Sequence, residues 1–230
     1  MTRDELDKYL ARLNSWQEAI GFKPVNHAYT FNGIPKPSVS ELMRPMSMLV
    51  YGAETNHFAK LAMDRGKRAH AAMESMDAVG IYPVQYDTLK YVEAYAQWRD
   101  SRPEFEIIAN EKRVCGGPYC GTFDKLAHES KLGRVYLIDI KTGETAHPEL
   151  WNVQMDFYDR ALRHMGLYIS GAFVVQCKKD GSFVEHECKS HTGMPDHLLK
   201  IYWYFENAKE EKECTQTPDT RPLSATTADG

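Results

Sequence analysis

The sequence lacks an apolar h-region after its charged opening Met1-Thr2-Arg3-Asp4-Glu5, so no secretory leader is expected. It also lacks any run approaching the roughly 18 apolar residues that span a bilayer. No membrane association and a cytoplasmic location are therefore expected. Cysteine is sparse and badly spaced for a scaffold. Cys115, Cys120, Cys177, Cys188 and Cys214 form an odd set without C-x-x-C. That excludes a disulfide-dense mini-protein and fits free thiols in a reducing compartment. A zinc or iron–sulfur site would need distant cysteines to converge. There is no G-x-G-x-x-G, Walker-type loop, G-x-S-x-G or H-E-x-x-H, so a small-molecule enzyme has no cofactor motif behind it. An excess of positive charge is missing too. Lys and Arg number 28 against 32 Asp and Glu, a net of −4. This excludes a globally basic nucleic-acid coat and leaves room for a local basic groove.

What is present suits a globular chain. The 230 residues are 43% apolar and 26% charged, enough for one well-buried core or two small ones. Leu6, Tyr9, Leu10, Leu13, Trp16 and Ile20 recur at helical spacing and predict an amphipathic helix over 4–20. His27–Phe31 alternates, turns at Asn32-Gly33 and runs to Pro37, which reads as a hairpin. Ser38 with Glu41 three residues on predicts a capping box opening a helix through Met48. Helices are expected over 54–79 and 86–100. Short β-prone runs follow at 105–114, 121–128 and 134–140, then a helix at about 148–165. A hairpin of 172–177 and 182–188 turns at Asp180-Gly181, and a last helix covers 195–208. Polar, Thr/Pro-rich residues 209–230 read as a disordered tail. That tail carries three basic and five acidic residues, which leaves −2 on 1–208. The expectation is one α/β (α+β) domain over 1–208 with a central mixed sheet flanked by helices and a helical N-terminal part.

The chemistry gathers in 121–141. Gly121-Thr122-Phe123-Asp124 ends one strand, and Val135–Lys141 follows after a Gly133 turn. Asp139 and Lys141 share one strand face while Ile138 and Ile140 take the other. Two carboxylates with an ammonium beside them suit a hard divalent cation, Mg²⁺ or Mn²⁺, and a polarised water. The plain alternative is a surface ion pair at a strand end. Gly66, His70 and Glu74 recur every four residues and line one helical face, where His70 is either a metal ligand or a structural histidine. Gln154 and Tyr158, also four apart, can bond a nucleic-acid backbone, bond Lys141, or sit at the edge of a core.

In this order, Gly-x-x-x-His-x-x-x-Glu, Gly-x-x-Asp, Asp-Ile-Lys-Thr-Gly and Gln-x-x-x-Tyr resemble the RecB-type branch of the PD-(D/E)XK nucleases. Upstream, His27-x-Tyr29…Gly33…Pro37-Ser38-Val39-Ser40 is similar to the opening of small phage and mitochondrial members. The resemblance covers roughly 27–175 and implies a restriction-endonuclease-like core. It implies that His70, Asp124, Asp139 and the Ile140 carbonyl hold metal, that Lys141 is the catalytic lysine, and that Gln154 and Tyr158 flank it. Glu74 and Glu111 are supporting candidates. The branch's iron–sulfur members carry an early cysteine and a compact C-terminal cysteine cluster. Neither stands here, so no iron–sulfur cluster is expected.

The reading is thus a Mg²⁺- or Mn²⁺-dependent deoxyribonuclease, an exonuclease acting on DNA ends or single strands in recombination, repair or replication. The alternatives are an endonuclease of the same fold and a catalytically inactive DNA-binding scaffold. Lys60, Arg65, Lys67, Arg68, Arg160 and Arg163 are expected to contact DNA, with Tyr29, Tyr119 and Trp151 as stacking candidates. A strand-annealing recombination partner is expected by analogy alone.

Overall fold

The computed structural model describes residues 1–52, 57–81, 85–189 and 192–216, with side chains throughout except at Phe58 and 210–216. Helix α1 (Arg3–Gln17) opens on a capping box, the Thr2 hydroxyl accepting from the Glu5 amide while Glu5 accepts from the Thr2 amide. It stops short of the expected Ile20. That residue instead begins β1 (Ile20–Lys23), which pairs with β2 (Ala28–Phe31), itself paired with β3 (Ile34–Lys36). Gly21 explains the switch. It lies opposite Thr30 at a distance that no Cβ would tolerate, and glycine weakens a helix at the same time. The Asn32-Gly33 turn has positive φ at both residues, as a tight hairpin of this hand requires.

The Ser38–Glu41 capping box is present, but the helix it opens is broken in two: α2 (Val39–Leu42) and α3 (Arg44–Tyr51). Pro45 is the cause, because it has no N–H to donate and its ring crowds the carbonyl four residues back. Helix α4 covers His57–Val79, so the expected start at 54 lies outside the described residues. Helix α5 covers Leu89–Ser101, and Tyr86 sits in the turn before it rather than inside it.

The second half forms the main sheet, in spatial order β4 (Phe105–Cys115), β5 (Cys120–Glu129), β6 (Arg134–Lys141), β7 (Gly171–Cys177) and β8 (Phe183–Glu187). All neighbours are antiparallel except β6 and β7, which are parallel and joined through α6 (Pro148–His164). Helix α7 (Met194–Gln216) continues beyond the expected limit at 208, and 217–230 lie outside the described residues. No helix among the described residues is long and apolar enough to cross a membrane.

Alternation along the strands divides the core. Leu126 and Leu137 face α6 and α1, among Phe157, Leu162, Leu13 and Tyr9. Ala127, Ile138, Ile140 and Val175 face α4 and α5, among Met73, Tyr95 and Trp98. The small sheet packs through Ile20 and Tyr29 on Cys115 and Cys120, which are register partners across β4 and β5. This is a mixed sheet covered by helices on both faces, the expected α/β class.

One polar cluster lies inside the α4/α5 layer. Lys125 Nζ stands 2.6 Å from Asp77 Oδ2 and donates to Asn110 Oδ1 at 2.8 Å, above the Tyr95 ring. Asp77 also accepts from the Tyr95 hydroxyl and from Arg99. Removing one member of such a buried pair leaves the other charge uncompensated. Lys125→Ala is therefore expected to cost about 3–5 kcal/mol in urea unfolding. Lys8→Ala, which breaks the exposed pair with Asp4, should change stability by under about 0.5 kcal/mol.

Candidate active site

The carboxyl-terminal end of β6 with the loop leaving it, the middle of β5, the start of α6 and the face of α4 enclose a cleft of about 830 Å³. Asp124 projects from β5 and Asp139 from β6, while His70 and Glu74 reach in from α4 and Glu111 from β4. His70 Nδ1 lies 3.4 Å from Asp124 and 4.0 Å from Glu111. One donor atom from each of these three residues falls within 4.8 Å of the others.

The motif glycines have steric reasons. A Cβ on Gly66 would stand 3.1 Å from Thr142 Oγ1, so its absence lets α4 lie close against the loop leaving β6. A Cβ on Gly121 would stand 2.9 Å from both Tyr158 and Val39, so its absence makes room for the Tyr158 ring. Glu111 sits in β4 with φ of +47°, an uncommon conformation for a residue with a side chain. Its expected partner Asp124 is missing from the strand register, although Asn110 and Lys112 pair normally on either side. Such a departure costs energy and tends to gather at working sites.

Asp139 is only 2% exposed. Its Oδ1 accepts from Gln154 Nε2 at 3.2 Å, and Lys141 Nζ stands 2.7 Å from Oδ2. That approach is off the hydrogen-bonding direction and leaves Oδ2 buried without a hydrogen bond. This is not the solvated ion pair of a strand end. Lys141 Nζ also donates to Gln154 Oε1 at 3.0 Å, and Gln154 Nε2 reaches the Tyr158 hydroxyl at 3.4 Å. Gln154 therefore holds Lys141 and Asp139 with opposite ends of one amide. Asp124 Oδ2 accepts from the Ile140 amide at 2.7 Å, which ties β5 to β6 where their ladder ends.

The electrostatics follow from crowding. Burial, with the Asp124 charge added and the Lys141 charge opposed, pushes the Asp139 carboxyl up to about 6. Burial and the charges of Asp124 and Glu74 push Glu111 up to about 8, although part of its side chain faces the open cleft. Burial presses Lys141 toward neutrality, but Asp139 and Asp124 outweigh it and raise its pKa above that of an ordinary lysine. An orphaned carboxylate oxygen, two protonation-prone acids and an imidazole form a donor set that fits a divalent cation with oxygen and nitrogen ligands.

No protein-family model and no curated protein sequence matches the chain. Among solved structures, the chain is similar to an alkaline exonuclease (LHK-Exo) from Laribacter hongkongensis. That likeness has 10% identity and a TM-score of 0.44, and covers 79% of this chain and 92% of that one. LHK-Exo in complex with dAMP gives 12%, 0.39, 77% and 94% on the same measures, and SSO0001 gives 12%, 0.39, 99% and 98%. At such distances the side chains of the cleft carry the chemistry.

The lining extends beyond the residues to which the resemblance gives roles. Tyr51 stands at the mouth, Trp151 forms a wall, and Thr142–Thr145 form a rim. Gln176, a buried polar residue in β7, holds that rim by donating to the Gly143 and Glu144 carbonyls. Its polarity inside an apolar strand was the available clue. Of the basic residues expected at DNA, Arg65 and Lys67 line the cleft, and exposed Lys60 lies on the same helical face one turn further out. The others are not brought there. Arg68 pairs with Asp87, Arg160 with Asp156 and Asp196, and Arg163 with Asp159. The stacking candidates are buried as well. Tyr29 bonds Thr122, Tyr119 donates to the Phe157 carbonyl, and Trp151 is packed in the α6 core.

Both raised acids hold their protons more tightly when folded, so their contribution favours the fold at low pH and is lost as pH rises toward about 8. In EDTA the melting temperature should fall between about pH 5 and pH 9, and Mn²⁺ should restore it most at the alkaline end. Asp139→Asn should flatten the metal-free slope in differential scanning fluorimetry.

Proposed function

We propose that the chain is a metal-dependent deoxyribonuclease of the RecB-type PD-(D/E)XK kind that hydrolyses phosphodiesters as an exonuclease on DNA ends or single strands. One observation carries the reading: Asp124 and Asp139 converge from adjacent strands with Lys141 held between Asp139 and Gln154. His70, Asp124, Asp139 and the Ile140 carbonyl are the ligands this reading assigns to Mg²⁺ or Mn²⁺, with Glu111 and Glu74 in support. When bound, the cation neutralises charge on the phosphoryl oxygens and acidifies water.

The roles of the side chains follow from their partners. Lys141 donates to Gln154 and stands as a charged neighbour of Asp139, so its ammonium keeps protons to offer the attacking water or the developing phosphorane anion. Gln154 is the positioning residue, because it fixes the Lys141 ammonium and the Asp139 carboxylate together. Tyr158 lines a second recess of about 700 Å³ with Tyr29, Ser38 and Thr122, and Lys67 lines both spaces. The lining residues that the two spaces share, Met63, Lys67 and Glu111, support a polymeric substrate that extends past the reacting phosphate. Lys67 and Arg65 would meet its backbone.

The test is digestion of 5′- and 3′-end-labelled single- and double-stranded DNA with Mg²⁺ and with Mn²⁺. Lys141→Ala and Asp139→Asn should each lower the rate by at least about 10³-fold while the protein remains folded. Gln154→Ala should lower kcat more than it raises KM. Wild-type protein that cleaves no DNA with either metal would sink the reading.

A further inference from the structure

Beside the cleft lies a further pocket of about 360 Å³, between α4, the start of α5 and the β7–β8 turn. Arg65 lines both spaces. In the side pocket its guanidinium carbon sits 5.2 Å from the centroid of the Tyr91 ring, and its Nε is buried without a hydrogen-bond partner. Tyr86 lines the same pocket and is 97% exposed, with no ring contact among the described residues. Lys90 and Lys179 complete the rim.

The charges leave this pocket net positive. Its acid, Asp87, is already taken by Arg68. Lys90 is shared with Glu93, whereas neither Arg65 nor Lys179 joins an ion pair among the described residues. The pocket is also built rather than incidental. The Lys179 amide donates to Glu144 Oε1 on the cleft rim, and Gly181 lies against Lys90 on α5. Arg65, stacked on Tyr91 but in no ion pair among the described residues, and Lys179, near the exposed Tyr86 ring, suit a nucleotide unit, with its phosphate on Arg65 and Lys179 and its base against Tyr86. A duplex offers no free base face to such a pocket, whereas an unpaired strand does.

We infer that Arg65, Tyr86, Tyr91 and Lys179 form a subsite for an unpaired nucleotide of the strand whose phosphodiester lies in the neighbouring cleft. This rests on the nuclease reading and extends it to single-stranded or frayed DNA. It also supplies the stacking surface that the buried Tyr29, Tyr119 and Trp151 do not.

Fluorescence anisotropy in EDTA, with labelled oligothymidylate and a blunt hairpin duplex, tests the subsite apart from cleavage. Tyr86→Ala should weaken oligothymidylate binding about tenfold, and Tyr86→Trp should retain it. Lys179→Gln should reduce the slope of log affinity against log salt by about 0.7. Neither should alter binding of the blunt hairpin or the melting temperature. The subsite is overturned if wild type does not bind oligothymidylate, if Tyr86→Ala binds it normally, or if both ligands are lost equally. Tyr86-dependent strand binding by a wild type that cleaves nothing would keep the subsite and remove the nuclease reading. Normal strand binding by Tyr86→Ala in a chain that cleaves DNA would do the reverse.

Discussion

A carboxylate taken out of water needs either a full set of hydrogen bonds or a cation, and Asp139 has neither complete. The rest of the structure is arranged around tolerating that. Lys141, two residues on along the same strand face, supplies a positive charge without closing the last hydrogen bond, and Gln154 supplies the amide that keeps both in place. The parallel β6–β7 pair matters here because its crossover returns α6 over the sheet, which brings Gln154 and Tyr158 above the end of β6. Asp124 reaches the same point only because β5 and β6 leave their ladder at Lys125 and Ile138, where the Ile140 amide turns to the Asp124 carboxylate.

The opposite face of the sheet handles its buried charge differently. Lys125 follows Asp124 directly and faces α4 and α5, where Asp77, Asn110 and Tyr95 meet its ammonium. That pair is satisfied and out of reach of the cleft, whereas the Asp139 set is left open to it. The contrast is informative because the two sites share the same strands and differ chiefly in whether the carboxylate oxygens are all matched. A completed network specifies packing. An incomplete one keeps capacity for a ligand. Helix α4 serves both, with Asp77 anchoring its C-terminal half while His70 and Glu74 face the cleft, so the anchor and the site are mechanically one helix.

Much of this was legible in the residues. The order of the motif elements, the Ser38–Glu41 capping box, the Asn32-Gly33 turn and the placing of Asp139 and Lys141 on one strand face followed from alternation and spacing, because each depends on local geometry. The break at Met43 was legible in principle from Pro45. The positive φ of Glu111 was not, since no local signal marks it, and the rim held by Gln176 showed only as a polar residue inside an apolar strand, because its partners in the loop after β6 are set by the fold. The basic residues were the least legible. Periodicity assigns a helix face, but whether Arg68 meets solvent or Asp87, and whether Arg160 meets a ligand or Asp156, is decided by neighbours from other elements. The same holds for aromatics: Tyr119 and Tyr86 differ in nothing local that announces one as core and the other as bare.

The net charge of −4 takes on a different meaning once these partners are known. Asp77, Asp156 and Asp159 are neutralised by basic residues within the fold, so they weigh little on a passing polyanion. The negative charge that matters to a phosphate is concentrated at Asp124, Asp139 and Glu74, where a cation would offset it. Flanking that point, Arg65 and Lys67 remain turned to the cleft. The electrostatic argument therefore selects a condition rather than a yes or no. With its acids uncompensated the cleft repels a phosphate at its centre and attracts it only at its edges. Loaded with a divalent ion, the same cleft presents a continuous favourable path, so metal binding and substrate binding should be thermodynamically coupled.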